Sequence, residues 1–148
     1  MVQPHIAESR EQVLDTMIGL TRLSALQRAI VAGSDGMAFY LALRRRGFIR
    51  VATPVTCRIA RGQHAIGLVA GQDASGTIEG ALASISPFLS ANATVAVLID
   101  SREGGGSSLR IRSKLQQMGF QIEAGVRCEQ GLVLSAYRQD LLHMQIAA

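Results

Sequence analysis

The sequence predicts a three-layer α/β sandwich, a mostly parallel sheet with helices on both faces and an antiparallel hairpin at its C-terminal end. Three observations predict it. Short apolar runs alternate with segments of helical periodicity. Two of the helical segments end in Gly-Phe and lead directly into a strand. After Gly119 the apolar spacing changes to period two. The 148 residues fit one domain, since domains usually run to about 100–200 residues; the expected domain is 1–148, with 1–27 as an N-terminal helical segment.

Taken in order, Ser9-Arg10-Glu11-Gln12 fits a capping box, and a helix should follow with Val13, Met17 and Leu20 on one face and Leu23 and Leu26 extending it. Arg28-Ala-Ile-Val-Ala-Gly33 reads as a buried strand, and Gly33-Ser34-Asp35-Gly36 as the turn into a second helix over about Gly36 to Arg46. Gly47-Phe48 closes that helix, and a strand is expected from Phe48 to Val55. Only about eight residues, Thr56 to Gln63, lead to the next strand, Ala65 to Ala70, too few for a crossover helix. Ile78, Ala81, Leu82, Ile85 and Leu89 then recur at helical spacing. Ala93-Thr-Val-Ala-Val-Leu-Ile99 is apolar at most successive positions, as in a strand covered on both faces. A helix over about Ser107 to Met118 ends at Gly119-Phe120. The last pair is a hairpin, with Ile122, Ala124, Val126 and Cys128 on one face, a turn at Glu129-Gln130-Gly131, and a return strand from Leu132 to Arg138.

With 48% hydrophobic and 18% charged residues and three prolines, the chain can bury a core. No apolar stretch approaches the roughly 20 residues of a membrane span, and the first ten residues lack the basic and apolar regions of a secretion signal. Cys57 and Cys128 are too few for a disulfide framework and are not spaced as metal ligands. A cytoplasmic location is the expectation. The formal charge is +4, but fourteen of the fifteen basic residues are arginine and aromatics are only 4%, so stacking residues for nucleic acid are scarce. Arg44-Arg45-Arg46 sits where cations suit the negative end of a helix dipole. Nucleic-acid binding is therefore not expected.

The order of these elements, with Leu115-Gln-Gln-Met-Gly-Phe-Gln-Ile-Glu-Ala124 and Gly131-Leu-Val-Leu-Ser-Ala-Tyr-Arg138 at its end, resembles the class I S-adenosylmethionine-dependent methyltransferases over about Arg28 to Arg138. The resemblance implies a Rossmann-like sandwich and S-adenosylmethionine as cofactor, held by the turns after the strands. Gly33, Ser34, Asp35, Gly36, Asp73 and Asp100 stand at those turns. The chain also departs from the family pattern. Val31-Ala-Gly-Ser-Asp-Gly36 has two glycines and no acid at the strand end. Arg50-Val-Ala-Thr-Pro-Val55 lacks the acid that binds ribose in the family. Ala70-Gly-Gln-Asp73 stands in place of the motif found in amine methylases, and the short link at Thr56 to Gln63 omits the family's third strand. These departures predict weak or no cofactor binding.

Asp35, Asp73 and Asp100 follow three strand ends, where converging carboxylates would hold a cation or move protons and separate ones would cap helices. Ser101-Arg-Glu-Gly-Gly-Gly-Ser-Ser108 reads as a mobile connector or a lid. Arg58 beside Cys57 would favour a thiolate, but no spacing joins that thiol to His64 or His143, and His5 lies near the N-terminus. No metal site is expected. Two functions remain open at this point. The leading one is a non-catalytic or cofactor-deficient module acting by self-association or ligand binding; the alternative is a methyltransferase of unassigned substrate. Met37-Ala-Phe-Tyr-Leu-Ala-Leu43 is apolar all round. A homodimer covering it, or covering Val13, Met17 and Leu20, competes with cover from the same chain.

Overall fold

The computed structural model describes residues 4–55, 61–71, 75–100 and 105–138. The elements run α1 (Pro4–Thr21), β1 (Ala29–Ala32), α2 (Gly36–Arg45), β2 (Val51–Ala52), β3 (His64–Val69), α3 (Ser75–Ile85), β4 (Leu89–Asp100), α4 (Gly105–Gln117), β5 (Gln121–Cys128) and β6 (Gly131–Tyr137). They form one six-stranded sheet in the order β2-β1-β3-β4-β6-β5. β2, β1, β3 and β4 are parallel; β6 runs antiparallel to both β4 and β5. The expected Rossmann-like sandwich with its terminal hairpin is the fold.

Alternation along the strands divides the core into two layers. Val95, Val97 and Ile99 of β4 face α3 and α4, where Ile78, Leu82, Ile85, Ile111 and Leu115 are buried. Ala96 and Leu98 of the same strand face α1 and α2, where Val13, Leu14, Met17, Phe39 and Leu43 are buried. Gly67 lets α3 approach closely. A Cβ there would lie 2.9 Å from Ile85 Cδ1 and 3.1 Å from both Leu89 Cδ2 and Val95 Cγ1.

Three helices end in the same way. The Gly47 amide donates to Arg44 O and the Phe48 amide to Leu43 O; the Gly119 and Phe120 amides repeat this with Gln116 O and Leu115 O. These are Schellman caps, and both glycines lie in the left-handed region, at φ +94° and +89°. α1 has an equivalent 6→1 bond, Leu23 N to Ile18 O at 3.2 Å, but its left-handed residue is Arg22 at φ +56°. No glycine marks that end in the sequence.

Several expectations are corrected. Ser9 is not an N-cap: α1 begins at Pro4, and Ser9 lies inside the helix, buried, donating to Glu129 Oε2 at 3.2 Å. The edge strand β2 shrinks from Phe48–Val55 to Val51–Ala52, because residues 49–50 form a turn and Pro54 has no N–H for the ladder. Leu89 is the first residue of β4 and not part of a helix, since a 3-10 turn at Ser86–Phe88 separates α3 from the strand. The hairpin face switches partway. Ile122 pairs with Ala136 but Ala124 with Ser135, so a bulge at Glu123 puts Ile122 against the α3 and α4 layer and Cys128 against the α1 layer.

The apolar face of α1 is consumed within the chain, with Val13 and Met17 fully buried. The run at Met37–Leu43 is not buried all round either. Phe39 and Leu43 are in the core, Tyr40 is half-buried, and Met37 and Leu41 are 53% and 45% exposed. The arginine run is a solvated helix end, as expected, but Arg46 also pairs with Glu11 and Asp15 and so joins α2 to α1. Among the described residues no helix is long and apolar enough to cross a membrane.

Two substitutions test these packing arguments by thermal denaturation. Gly67→Val forces three side chains aside and is expected to destabilise by about 1–3 kcal/mol, whereas Arg22→Gly relieves a left-handed non-glycine residue and is expected to stabilise by about 0.5–1 kcal/mol.

Candidate functional site

β1 has β2 on one side and β3 on the other, so the chain changes direction in the sheet at β1. In doubly wound sheets the crevice at such a point is where ligands bind. A cleft of 690 Å³ opens there. Its walls are Val31–Gly33 with Gly36 and Met37 from the β1 turn, Thr53–Val55 after β2, and Gly80, Ala81 and Ser84 from α3. The cleft is open because α3 packs on β1 and β3, while β2 contributes Val51 only to the opposite layer. Among the described residues no strand or helix lies outside β2 on that side.

Gly33 fixes the floor of the cleft. Its φ is +101°, and a Cβ there would stand 2.1 Å from the Ala70 carbonyl oxygen. That oxygen accepts from the Asp35 amide at 3.1 Å, and the Ala70 amide donates to Ala32 O at 3.1 Å. Backbone thus meets backbone between the end of β1 and the end of β3. Gly36 is less demanding, since its Cβ would make ordinary contacts of 3.8 Å with Val31.

The structure brings two of the six expected site residues, Gly33 and Gly36, into the cleft wall. Ser34 is exposed beside it and is not part of the wall. Asp35 stands at the N-cap of α2 without a side-chain capping bond, and its carboxylate pairs with Arg10 of α1 at 3.6 Å. Asp73 lies outside the described residues. Asp100 ends β4, paired with Gly131, and its side chain is outside the description, as are 101–104, Cys57 and His143. No group of three metal-ligating residues occurs among the described residues.

The sequence reading missed Met37, Thr53, Pro54, Val55, Gly80, Ala81 and Ser84 as wall residues. A signal existed for the last three, because α3 carries its bulky residues at Ile78, Leu82 and Ile85 and small ones on the flank between. The described wall contains no ionisable side chain. Ser84 Oγ donates to Ala81 O at 2.7 Å, which leaves its lone pairs as acceptors. The cleft can therefore bind, orient and exclude water, but its described wall holds no general acid or base.

His5 lies in α1, and His64 lies at the other end of the sheet from the cleft. It is 1% exposed, with Nδ1 3.2 Å from Phe88 O and its ring edge-on to Phe88. Burial, aided by the charge of Arg28, lowers its pKa, although the Phe88 carbonyl opposes the shift.

No family model matches the sequence, and no curated protein is significantly similar to it. Solved structures are similar in fold. The Burkholderia thailandensis 1,6-didemethyltoxoflavin-N1-methyltransferase, with bound S-adenosylhomocysteine, superposes with a TM-score of 0.60 at 14% identity, over 89% of this chain and 79% of its own. The magnesium protoporphyrin IX methyltransferase of Synechocystis PCC 6803, also with S-adenosylhomocysteine, gives 0.62 at 9% identity over 94% and 89%. The ribosomal protein L11 methylase of Lactobacillus delbrueckii subsp. bulgaricus gives 0.60 at 13% identity over 88% and 79%. The chain has the class I methyltransferase fold.

The cleft floor predicts a contrast between two glycines. Gly33→Ala is expected to destabilise by about 2 kcal/mol or more, because it adds a backbone clash to a left-handed conformation. Gly80→Ala meets nothing within 4 Å and is expected to leave stability unchanged or higher. Urea denaturation of the two variants checks this.

Proposed function

We propose that this chain is an S-adenosylmethionine-dependent methyltransferase whose cofactor occupies the cleft between the ends of β1 and β2 and the flank of α3. The observation that carries this reading is the position of the cleft at the switch point of a sheet with this fold. Structural neighbours were solved with the cofactor or its demethylated product bound. S-adenosylmethionine supplies a methyl group on a sulfonium. The apolar walls at Val31, Met37, Val55 and Ala81 suit the faces of an adenine ring. Thr53 stands where the family pattern has an acid, and Ser84 Oγ offers acceptor lone pairs to the ribose. With no described base in the wall, the contribution of this chain to transfer would be orientation and exclusion of water.

A second reading is favoured by one observation: the described wall has no carboxylate. In that reading the fold is kept as a cofactor-deficient module, which binds an apolar ligand or associates with a second copy through the exposed Met37 and Leu41.

Isothermal titration with S-adenosylmethionine and S-adenosylhomocysteine separates the two. The first reading expects saturable binding that is lost in Gly80→Phe, which fills the cleft from a position with open space around it, while Gly33 is left intact. No heat with either ligand at millimolar concentration rejects it in favour of the second.

A further inference from the structure

A second pocket, of 310 Å³, lies at the end of the sheet where the parallel strands begin, and its lining includes Arg28, Arg50 and His64 with Ile49, Val51 and Ala52. Arg28 and Arg50 are cross-strand neighbours. Ala29 pairs with Val51 in parallel register, and the Ala29 amide donates to Arg50 O at 3.1 Å, so the residues one step earlier stand side by side. Like charges in that relation repel and destabilise a sheet.

No ion pair among the described residues neutralises either arginine. Glu11 and Asp15 are committed to Arg46, Asp35 to Arg10 and Glu79 to Arg110. Glu129 accepts from Ser9 on α1. Neither Arg28 nor Arg50 has a carboxylate partner among the described residues. Arg50 spends one donor on Leu26 O at 3.3 Å, and a guanidinium has five. His64 closes the pocket as a third nitrogen-bearing group. Ile49 in the lining is 66% exposed and apolar.

We propose that this pocket binds the phosphate group of a small organic phosphate, with Arg28 and Arg50 as its ligands and Ile49 packing against its apolar body. Two guanidiniums from the residues that lead into adjacent strands match the several acceptor oxygens of a phosphate. The volume is that of a small-molecule site. The pocket is at the opposite end of the strands from the cleft, so the proposal stands independently of whether the cleft binds a cofactor.

Titration calorimetry with inorganic pyrophosphate and with phenyl phosphate, at low and at moderate salt, tests it. Both probes are expected to bind, phenyl phosphate but not phenol. Arg28→Gln and Arg50→Gln should each weaken binding at least tenfold, and Gly80→Phe and Arg45→Gln should not change it. Circular dichroism confirms that the variants fold, and pyrophosphate should raise the melting temperature of the wild type but not of Arg50→Gln. The absence of binding by either probe overturns the proposal. So does binding weakened as much by Arg45→Gln as by Arg28→Gln, which marks general charge attraction, and so does binding confined to a single-stranded oligonucleotide.

Discussion

The middle residues of the central strands β1, β3 and β4 have no face that water can wet. Ile30 and Val31, Leu68 and Val69, and Val97 and Leu98 are each adjacent in sequence, lie on opposite faces of the sheet, and are all at most 1% exposed. A sheet of this kind exists only if helices cover both sides. That requirement sets the positions of α1 and α2 on one face and α3 and α4 on the other. Fully burying an aliphatic side chain contributes about 1.5–3 kcal/mol, against about 0–1 kcal/mol for an exposed ion pair. α1 is thus held by Val13, Leu14 and Met17, while its pairs to Arg46 and Asp35 set its orientation.

The same requirement explains where the cleft is. On the α3 side helix cover extends over β3 and β1 but stops before β2, because the chain returns from the edge strand to β3 without building another helix there within the described residues. An unfinished layer beside the switch point leaves a hollow with apolar walls. Gly33 keeps that hollow in shape by pressing the turn after β1 onto the Ala70 carbonyl, which makes this glycine a structural residue first.

At the other end of the sheet the chain uses polar groups to repair irregularity. β4 gains extra residues against β3 between Leu89 and Thr94, which frees carbonyl groups from the regular ladder. Arg138 takes them up. Its side chain donates to Ser90 O and Leu89 O, its amide donates to Ala93 O, and its guanidinium lies 5.0 Å from the centre of the Phe120 ring. Burial lowers the pKa of this arginine, yet a guanidinium stays charged, so the bonds to carbonyl oxygens compensate a real desolvation cost.

Periodicity and punctuation in the sequence determined the fold class, because apolar runs that lack a polar face demand two helical layers and because Gly47-Phe48 and Gly119-Phe120 are local signals for a helix that ends and a strand that begins. The hairpin was legible for the same reason, in its alternation and its turn at Gly131. What depended on distant partners was not legible. Ser9 looks like a cap until Glu129, 120 residues away, takes its hydroxyl into the interior. The Glu123 bulge reverses a face that the alternation alone keeps constant. Of the cleft wall, Gly33 was legible because left-handed backbone needs glycine, whereas Thr53, Gly80 and Ser84 became wall residues only when β2 and α3 met across β1. Tertiary structure alone decided that Asp35 pairs with Arg10 and that Arg28 stands beside Arg50, since register between strands is set by packing of whole layers and leaves no mark in either segment.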